Sequence, residues 1–221
     1  MAYKLLGANV SPFVRKVRIQ LAEKGIAYEH EPVSPFAPPP GWRDLSPLGK
    51  IPVLVDNGKV INDSSVISQY IERKNPATPL LPKDDDGYIQ ALWLEEFMDG
   101  GFVPVAGGKV FLPLIVMPMM KKQPPDEAAR AGAAKAVAED LPPLWAYLES
   151  QLGDRQFFVN DSLSLADIAV TSMHVNLRHA GVGVDATAFP RLAAFIERMF
   201  ARPSVKALLD EETPMWAMKR G

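Results

Sequence analysis

Residues 46–67 read SPLGKIPVLVDNGKVINDSSVI. Within them IPVLVDNGKVIND sets two short β-rich runs on either side of Asn57-Gly58, a dipeptide that accepts the positive φ angles of a tight hairpin turn. Asp63, Ser64 and Ser65 then precede an apolar-periodic run, and the change of period predicts a helix over 64–74. Working outward to the N-terminus, Tyr3 to Leu6 reads as a strand. Phe13 to Lys24 reads as a helix with Val14, Val17 and Leu21 on one face, closed by Gly25. Ala27 to Val33 is extended again, and SPFAPPPGW at 34–42 is a stiff surface loop, because its prolines cannot sustain regular hydrogen bonding. Strand, helix, strand, hairpin and helix in that order make an α/β unit of about eighty residues.

Downstream the pattern changes. NPATPLLPKDDD, residues 75–86, carries proline and charge without periodicity and reads as a linker. The remainder reads as helix: Tyr88 to Met98, Asp126 to Leu152, residues 162–181 with a capping box formed by Ser164 and Asp167, Phe189 to Ala201, and Val205 to Leu209. Glycines and prolines between Gly100 and Gln123 are expected to interrupt any long helix there. The organisation is therefore domain 1–76, linker 77–87 and helical domain 88–221.

The chain has 221 residues, a net charge of -2 and no cysteine. That charge gives no broad attraction to nucleic acid or to an acidic membrane. Without cysteine there are no disulfides, and any thiol chemistry must use a thiol supplied from outside. The N-terminus lacks the pattern of a signal peptide, and the apolar stretch 110–120 is short and broken by proline, so a soluble, cytoplasmic protein is expected.

Residues 9–18, NVSPFVRKVR, pose the functional question. Ser11 followed by Pro12 is a helix start, with the serine accepting a backbone N–H and the proline at the first helical position. The same hydroxyl can instead face a ligand held over the helix N-terminus. Asp63 and Ser64 raise the same alternative, since a helix start both needs a cap and attracts anions. Lys50 reads locally as a surface charge, and Arg15, Lys16 and Arg18 as the solvated face of the first helix. The three histidines, His30, His174 and His179, do not align as a metal pair, and HExxH, a phosphate-binding glycine loop and a nucleophile elbow are absent from the sequence. No metal is expected.

Four segments in order, SPFVRKVR at 11–18, SPLGKIPVL at 46–54, DSSVI at 63–67 and SLSLADIA at 162–169, make the chain resemble the glutathione S-transferase superfamily, and the serine of the first resembles its serine-using tau, theta and phi classes. The resemblance implies an α+β thioredoxin-like N-terminal domain with a four-stranded mixed sheet, followed by an all-α domain. It implies that Ile51, through its main chain beside a cis Pro52, pairs with the cysteinyl part of glutathione. Ser64, with Asp63, would hold the γ-glutamyl end, and Lys50 the glycyl carboxylate. Ser11 would donate a hydrogen bond to the thiolate as the catalytic residue, with Asn9, Phe13 and Arg15 as neighbours. The helical domain would supply an electrophile pocket with Phe97, Phe102, Phe111, Met117 and Trp216 as candidate lining.

The activity so implied is conjugation of glutathione, the co-substrate, to small hydrophobic electrophiles in detoxification, with peroxide or disulfide reduction as a variant. A cytoplasmic homodimer is expected, with neither nucleic acid nor membrane as partner. The alternative is a non-catalytic scaffold on the same fold, serving transcription, translation or cell division. Three features keep it open: Asp63 where the family more often has glutamate or glutamine, the loop 34–41, and the irregular stretch after Gly100.

Overall fold

The computed structural model describes residues 3–217, with the backbone alone for 214–217. Two compact units divide the chain, Met1–Leu81 and Pro82–Gly221. In the first, β1 (Tyr3–Leu6), α1 (Pro12–Glu23), β2 (Tyr28–Glu31), the short α2 (Trp42–Leu45), β3 (Val53–Asp56), β4 (Lys59–Asn62) and α3 (Ser64–Lys74) follow in order. The sheet has order β2-β1-β3-β4, with β1 and β2 parallel and the other two pairings antiparallel. This is the expected four-stranded mixed sheet. The hairpin turns at Asn57 and Gly58, both with positive φ.

Alternation along the strands splits the core in two. Leu5, Leu54 and Ile61 pack with Val14, Val17, Leu21, Ile67 and Ile71 of α1 and α3. Leu6 and Val53 face the other way, onto Val33 and Trp42. A buried polar network ties the helices to the chain leaving them. The Lys24 ammonium reaches Glu72 Oε1 at 2.8 Å, Asn75 O at 3.0 Å and Thr78 O at 2.5 Å, and the amide of Leu80 donates to Glu72 Oε2. With the Lys24 side chain only 1% exposed, those three acceptors match its three donors and make its burial tolerable.

The first helix differs from the reading of its basic residues as solvated. Every residue from Val14 to Leu21 is buried, including Arg15, Lys16 and Arg18. Hydrogen bonds keep the guanidinium groups inside: Arg15 donates to Val10 O at 3.3 Å, and Arg18 to the Tyr28 hydroxyl at 3.0 Å. Helical period identifies which residues share a face but not whether the opposite face is covered, and here it is covered.

The second unit begins with a helix where the sequence suggested linker. Asp84 caps it by accepting from Gly87 N at 2.8 Å, and Asp85 and Asp86 sit in the first turn, where the helix dipole favours negative charge. That helix continues unbroken as Asp85–Lys121, which corrects the expected interruption between Gly100 and Gln123. Segments Phe97–Phe102 and Ala106–Val116 widen to π-helical bonding, and the helix thereby passes Gly100, Gly101, Gly107, Gly108 and Pro113 without ending. By length and composition alone this helix is apolar enough to cross a membrane, a test that core helices of soluble proteins also pass. A second helical run covers 127–152, again with a π-helical segment, Ala136–Asp140.

The buried helix Leu165–His179 carries the predicted capping box. Asp167 Oδ2 accepts from the amide and hydroxyl of Ser164, both at 2.7 Å, and Oδ1 from Phe158 N at 2.9 Å. Two turns further on, His174 Nε2 accepts from Trp145 Nε1 at 3.1 Å while Nδ1 donates to Val170 O at 2.7 Å. Burial pushes the His174 pKa down to about 4 and that of Asp167 up to about 6. The signs oppose each other. Asp167 adds stability toward acid that is lost as pH rises from about 4 to about 6. His174 adds stability that is present above its ordinary value of about 6.5 and is lost as pH falls toward 4. Denaturant titrations of wild type and His174→Gln should therefore diverge as pH falls from 6.5 to 4, with wild type losing about 3 kcal/mol relative to the variant.

Candidate functional site

One end of the sheet gathers three chain segments. Leu6 lies opposite Val53, and Val53 opposite Asn62. Consequently the exit from β1 at Gly7, the entry to β3 through Ile51 and Pro52, and the exit from β4 at Asp63 run side by side. Gly7 marks how close they come. A Cβ there would stand 2.5 Å from Val14 Cγ2 and 3.2 Å from Ile51 Cβ, and its φ of 151° is one that side-chain-bearing residues seldom adopt.

The Ile51-Pro52 peptide is cis. Just before it, the Ser46 hydroxyl donates to Lys50 O at 2.7 Å and holds the turn. Among the described residues the N–H and C=O of Ile51 make no backbone hydrogen bond, so this residue presents an unused main-chain edge. Lys50 is exposed, and no described residue pairs with its ammonium.

The start of α3 lies alongside. Asp63 has φ 73° and ψ 133°, an unusual backbone for a residue with a side chain, and its Oδ1 accepts from Ser65 N at 2.9 Å and Val66 N at 3.3 Å. The cap is therefore real. It leaves the Ser64 N–H out, and the hydroxyl of Ser64, a residue only 3% exposed, also has no partner among the described residues. An unpartnered N–H and O–H at a helix N-terminus are groups that can accept an anion.

Ser11 stands at the mouth of α1. Its Oγ accepts from Val14 N at 3.4 Å, at the long limit for such a bond. A hydroxyl has one proton and two lone pairs. The cap uses a lone pair, and among the described residues nothing accepts the Ser11 proton. A turn closed by Ser11 N donating to Ala8 O at 3.0 Å leads into the helix, and Asn9, partly buried, lies within it. Arg15 braces the same turn through Val10 O. Phe13 is partly buried in the first turn of α1.

Ser11, Ile51, Pro52, Asp63 and Ser64 thus meet at one end of one sheet, with Lys50 beside them. The aromatic and methionine candidates in the second unit lie along the run Asp85–Lys121 instead. Phe102 is buried against the His174 ring at 4.7 Å between centroids, and Phe111 is also buried. Phe97 is half-buried and stacks on Tyr147 at 4.6 Å, while Met117 is exposed. Trp216 lies outside the residues whose side chains are described. Among the described residues no group of three or more histidines or carboxylates is placed to hold a metal ion.

Sequence reasoning passed over His30, whose Nε2 lies 2.9 Å from Gly7 O. Its place on the extended run Ala27 to Val33 was legible in the sequence; its contact was not.

A family model described as the N-terminal domain of glutathione S-transferase matches residues 5–79, and one described as its C-terminal domain matches 112–212. An uncharacterized GST-like protein of Escherichia coli, YibF, is 34% identical over 91% of this chain and 95% of its own length. The chain belongs to the glutathione S-transferase family. Two solved family structures are similar throughout. The glutathione S-transferase of Methylobacterium radiotolerans, in complex with glutathione sulfonate, has a TM-score of 0.75 at 33% identity and covers 95% of each chain. That of Methylobacillus flagellatus, with glutathione bound, has a TM-score of 0.73 at 32% identity, covering 94% of this chain and 98% of its own.

The contacts at Gly7 set an expected outcome. Gly7→Ala places a methyl group into Val14 and Ile51 at a strained φ, and chemical denaturation should show a loss of about 2–4 kcal/mol.

Proposed function

We propose that this protein is a serine-type glutathione transferase that activates the thiol of bound glutathione and joins it to small apolar electrophiles. The carrying observation is the Ser11 hydroxyl, which accepts its capping bond and keeps its proton for another acceptor. Capping and thiolate donation thus use different parts of one oxygen and do not compete. The cysteinyl part of the tripeptide pairs with the open main-chain edge of Ile51 beside Pro52. Its γ-glutamyl carboxylate meets the N–H and O–H of Ser64, and its α-ammonium meets the Asp63 carboxylate, which offsets the charge of that cap. Lys50 attracts the glycyl carboxylate at the opposite end. Two solved relatives that carry glutathione or its sulfonate, each more than 30% identical to this chain, support the choice of ligand.

Asn9, Phe13 and Arg15 act around the thiol through the turn that bears Ser11. The electrophile pocket is expected from the second unit, and of its candidates Phe97 and Met117 are the two among the described residues that are not buried. We place the enzyme in the cytoplasm as a homodimer, with the domain 1–76 joined to the helical domain by a segment that ends where the helix begins at Asp85, and neither metal, nucleic acid nor membrane required.

Titration of glutathione, followed by thiolate ultraviolet absorbance, tests the assignment. A hydrogen bond to a charged group is worth roughly 1.5–3 kcal/mol, so Ser11→Ala should raise the bound thiol pKa by about one to two units with little change in Kd. Ser64→Ala should do the reverse, weakening binding about tenfold or more while the thiol pKa holds. Absence of binding to wild type at millimolar glutathione would instead favour a non-catalytic scaffold. A Ser11→Ala variant that melts earlier yet ionises the thiol normally would leave capping as the serine's whole role.

A further inference from the structure

The turn that carries Ser11 hangs from Gly7, and both polar groups of Gly7 are tied to β2. Its N–H donates to Glu31 O at 3.0 Å, and its carbonyl lies 2.9 Å from His30 Nε2. β2 leaves the ladder at Glu31, and among the described residues no backbone N–H donates to the Gly7 carbonyl. A buried carbonyl at this point needs a donor from elsewhere. The imidazole supplies it. Since the carbonyl can only accept, Nε2 carries the proton in this contact.

Packing fixes where Gly7 sits, between Val14 and Ile51, but not how its peptide planes are turned. Glycine is permissive in both dihedrals, and without a side chain only hydrogen bonds oppose rotation. The carbonyl that His30 holds belongs to the peptide joining Gly7 to Ala8. That peptide opens the turn closed by Ser11 N and Ala8 O. One bond from the imidazole therefore sets the direction in which the chain enters the turn, and so the direction of the Ser11 hydroxyl.

We propose that His30 is a positioning residue for this site: by donating from Nε2 to Gly7 O it orients the 8–11 turn and aims the Ser11 hydroxyl at the position of the sulfur. It acts through the backbone and touches neither glutathione nor the reacting atoms. The catalytic part of this role rests on the glutathione reading above. The structural part does not.

The test compares His30→Gln, whose side-chain amide is a donor, with His30→Met, of similar size and without one. In glutathione-free protein, backbone hydrogen exchange over residues 8–15 should be faster by about tenfold in His30→Met, as loss of one hydrogen bond predicts, and close to wild type in His30→Gln. With glutathione, His30→Met should raise the bound thiol pKa by about one unit and lower kcat with KM nearly unchanged, and His30→Gln should restore both. Equal exchange over 8–15 in the two variants, or equal thiol pKa values at equal Kd, overturns the role of His30. Should wild type itself bind no glutathione, the functional reading fails, while the exchange contrast still decides whether His30 orients the turn.

Discussion

The structure of the first unit depends on one close approach, that of Gly7 to Val14 and Ile51. It presses the exit of β1, the start of α1 and the entry to β3 together at one end of the sheet. Antiparallel register then brings the exit of β4 alongside, because Val53 pairs with both Leu6 and Asn62. Every polar group assigned to the site sits on one of these converging segments. Regular strands consume their own N–H and C=O groups in the ladder; segments that have just left a strand do not. A binding edge therefore arises where the ladder stops, and three ladders stop at the same level here.

Much of this frame was legible. Asn57-Gly58 fixed the hairpin, and Asp63 before an apolar-periodic run fixed the start of α3, because turn and cap preferences are local steric and hydrogen-bonding effects. The candidate site residues could be named through the resemblance, whose first three segments fall on the converging ends. Burial of the charged side chains on α1 was not legible. Arg15, Lys16 and Arg18 look solvated when only their own helix is considered, and the bonds from Arg15 to Val10 O and from Arg18 to Tyr28 depend on how the neighbouring chain is folded.

The long helix Asp85–Lys121 shows a different limit. Glycine and proline lower helix propensity at their own positions, and the sequence argument summed those penalties into a break. The chain instead shifts to a wider turn over Phe97–Phe102 and Ala106–Val116 and keeps its axis. Propensity scales describe α-helical geometry, so they are silent about a local change of hydrogen-bond period. The irregular stretch after Gly100 is thus a change of pitch within one helix. It gives no support to a scaffold role.

In the role proposed for Ser11, what a hydrogen-bond donor can contribute is bounded by the chemistry of thiols. From an ordinary pKa of about 8.5, a fall of two units raises the thiolate fraction at pH 7 by roughly 25-fold. A thiolate of lower pKa is also a weaker nucleophile, with a slope of about 0.4–0.5 in disulfide exchange, and on that slope most of the gain disappears. What survives is geometry: effective molarities for well-oriented partners can reach about 10⁵ M and more. On the proposed reading, the hydroxyl is then worth more as a fixed point for the sulfur than as an acidifying group. A fixed point is only as good as the backbone beneath it, and for Ser11 that backbone is a single turn anchored at a glycine.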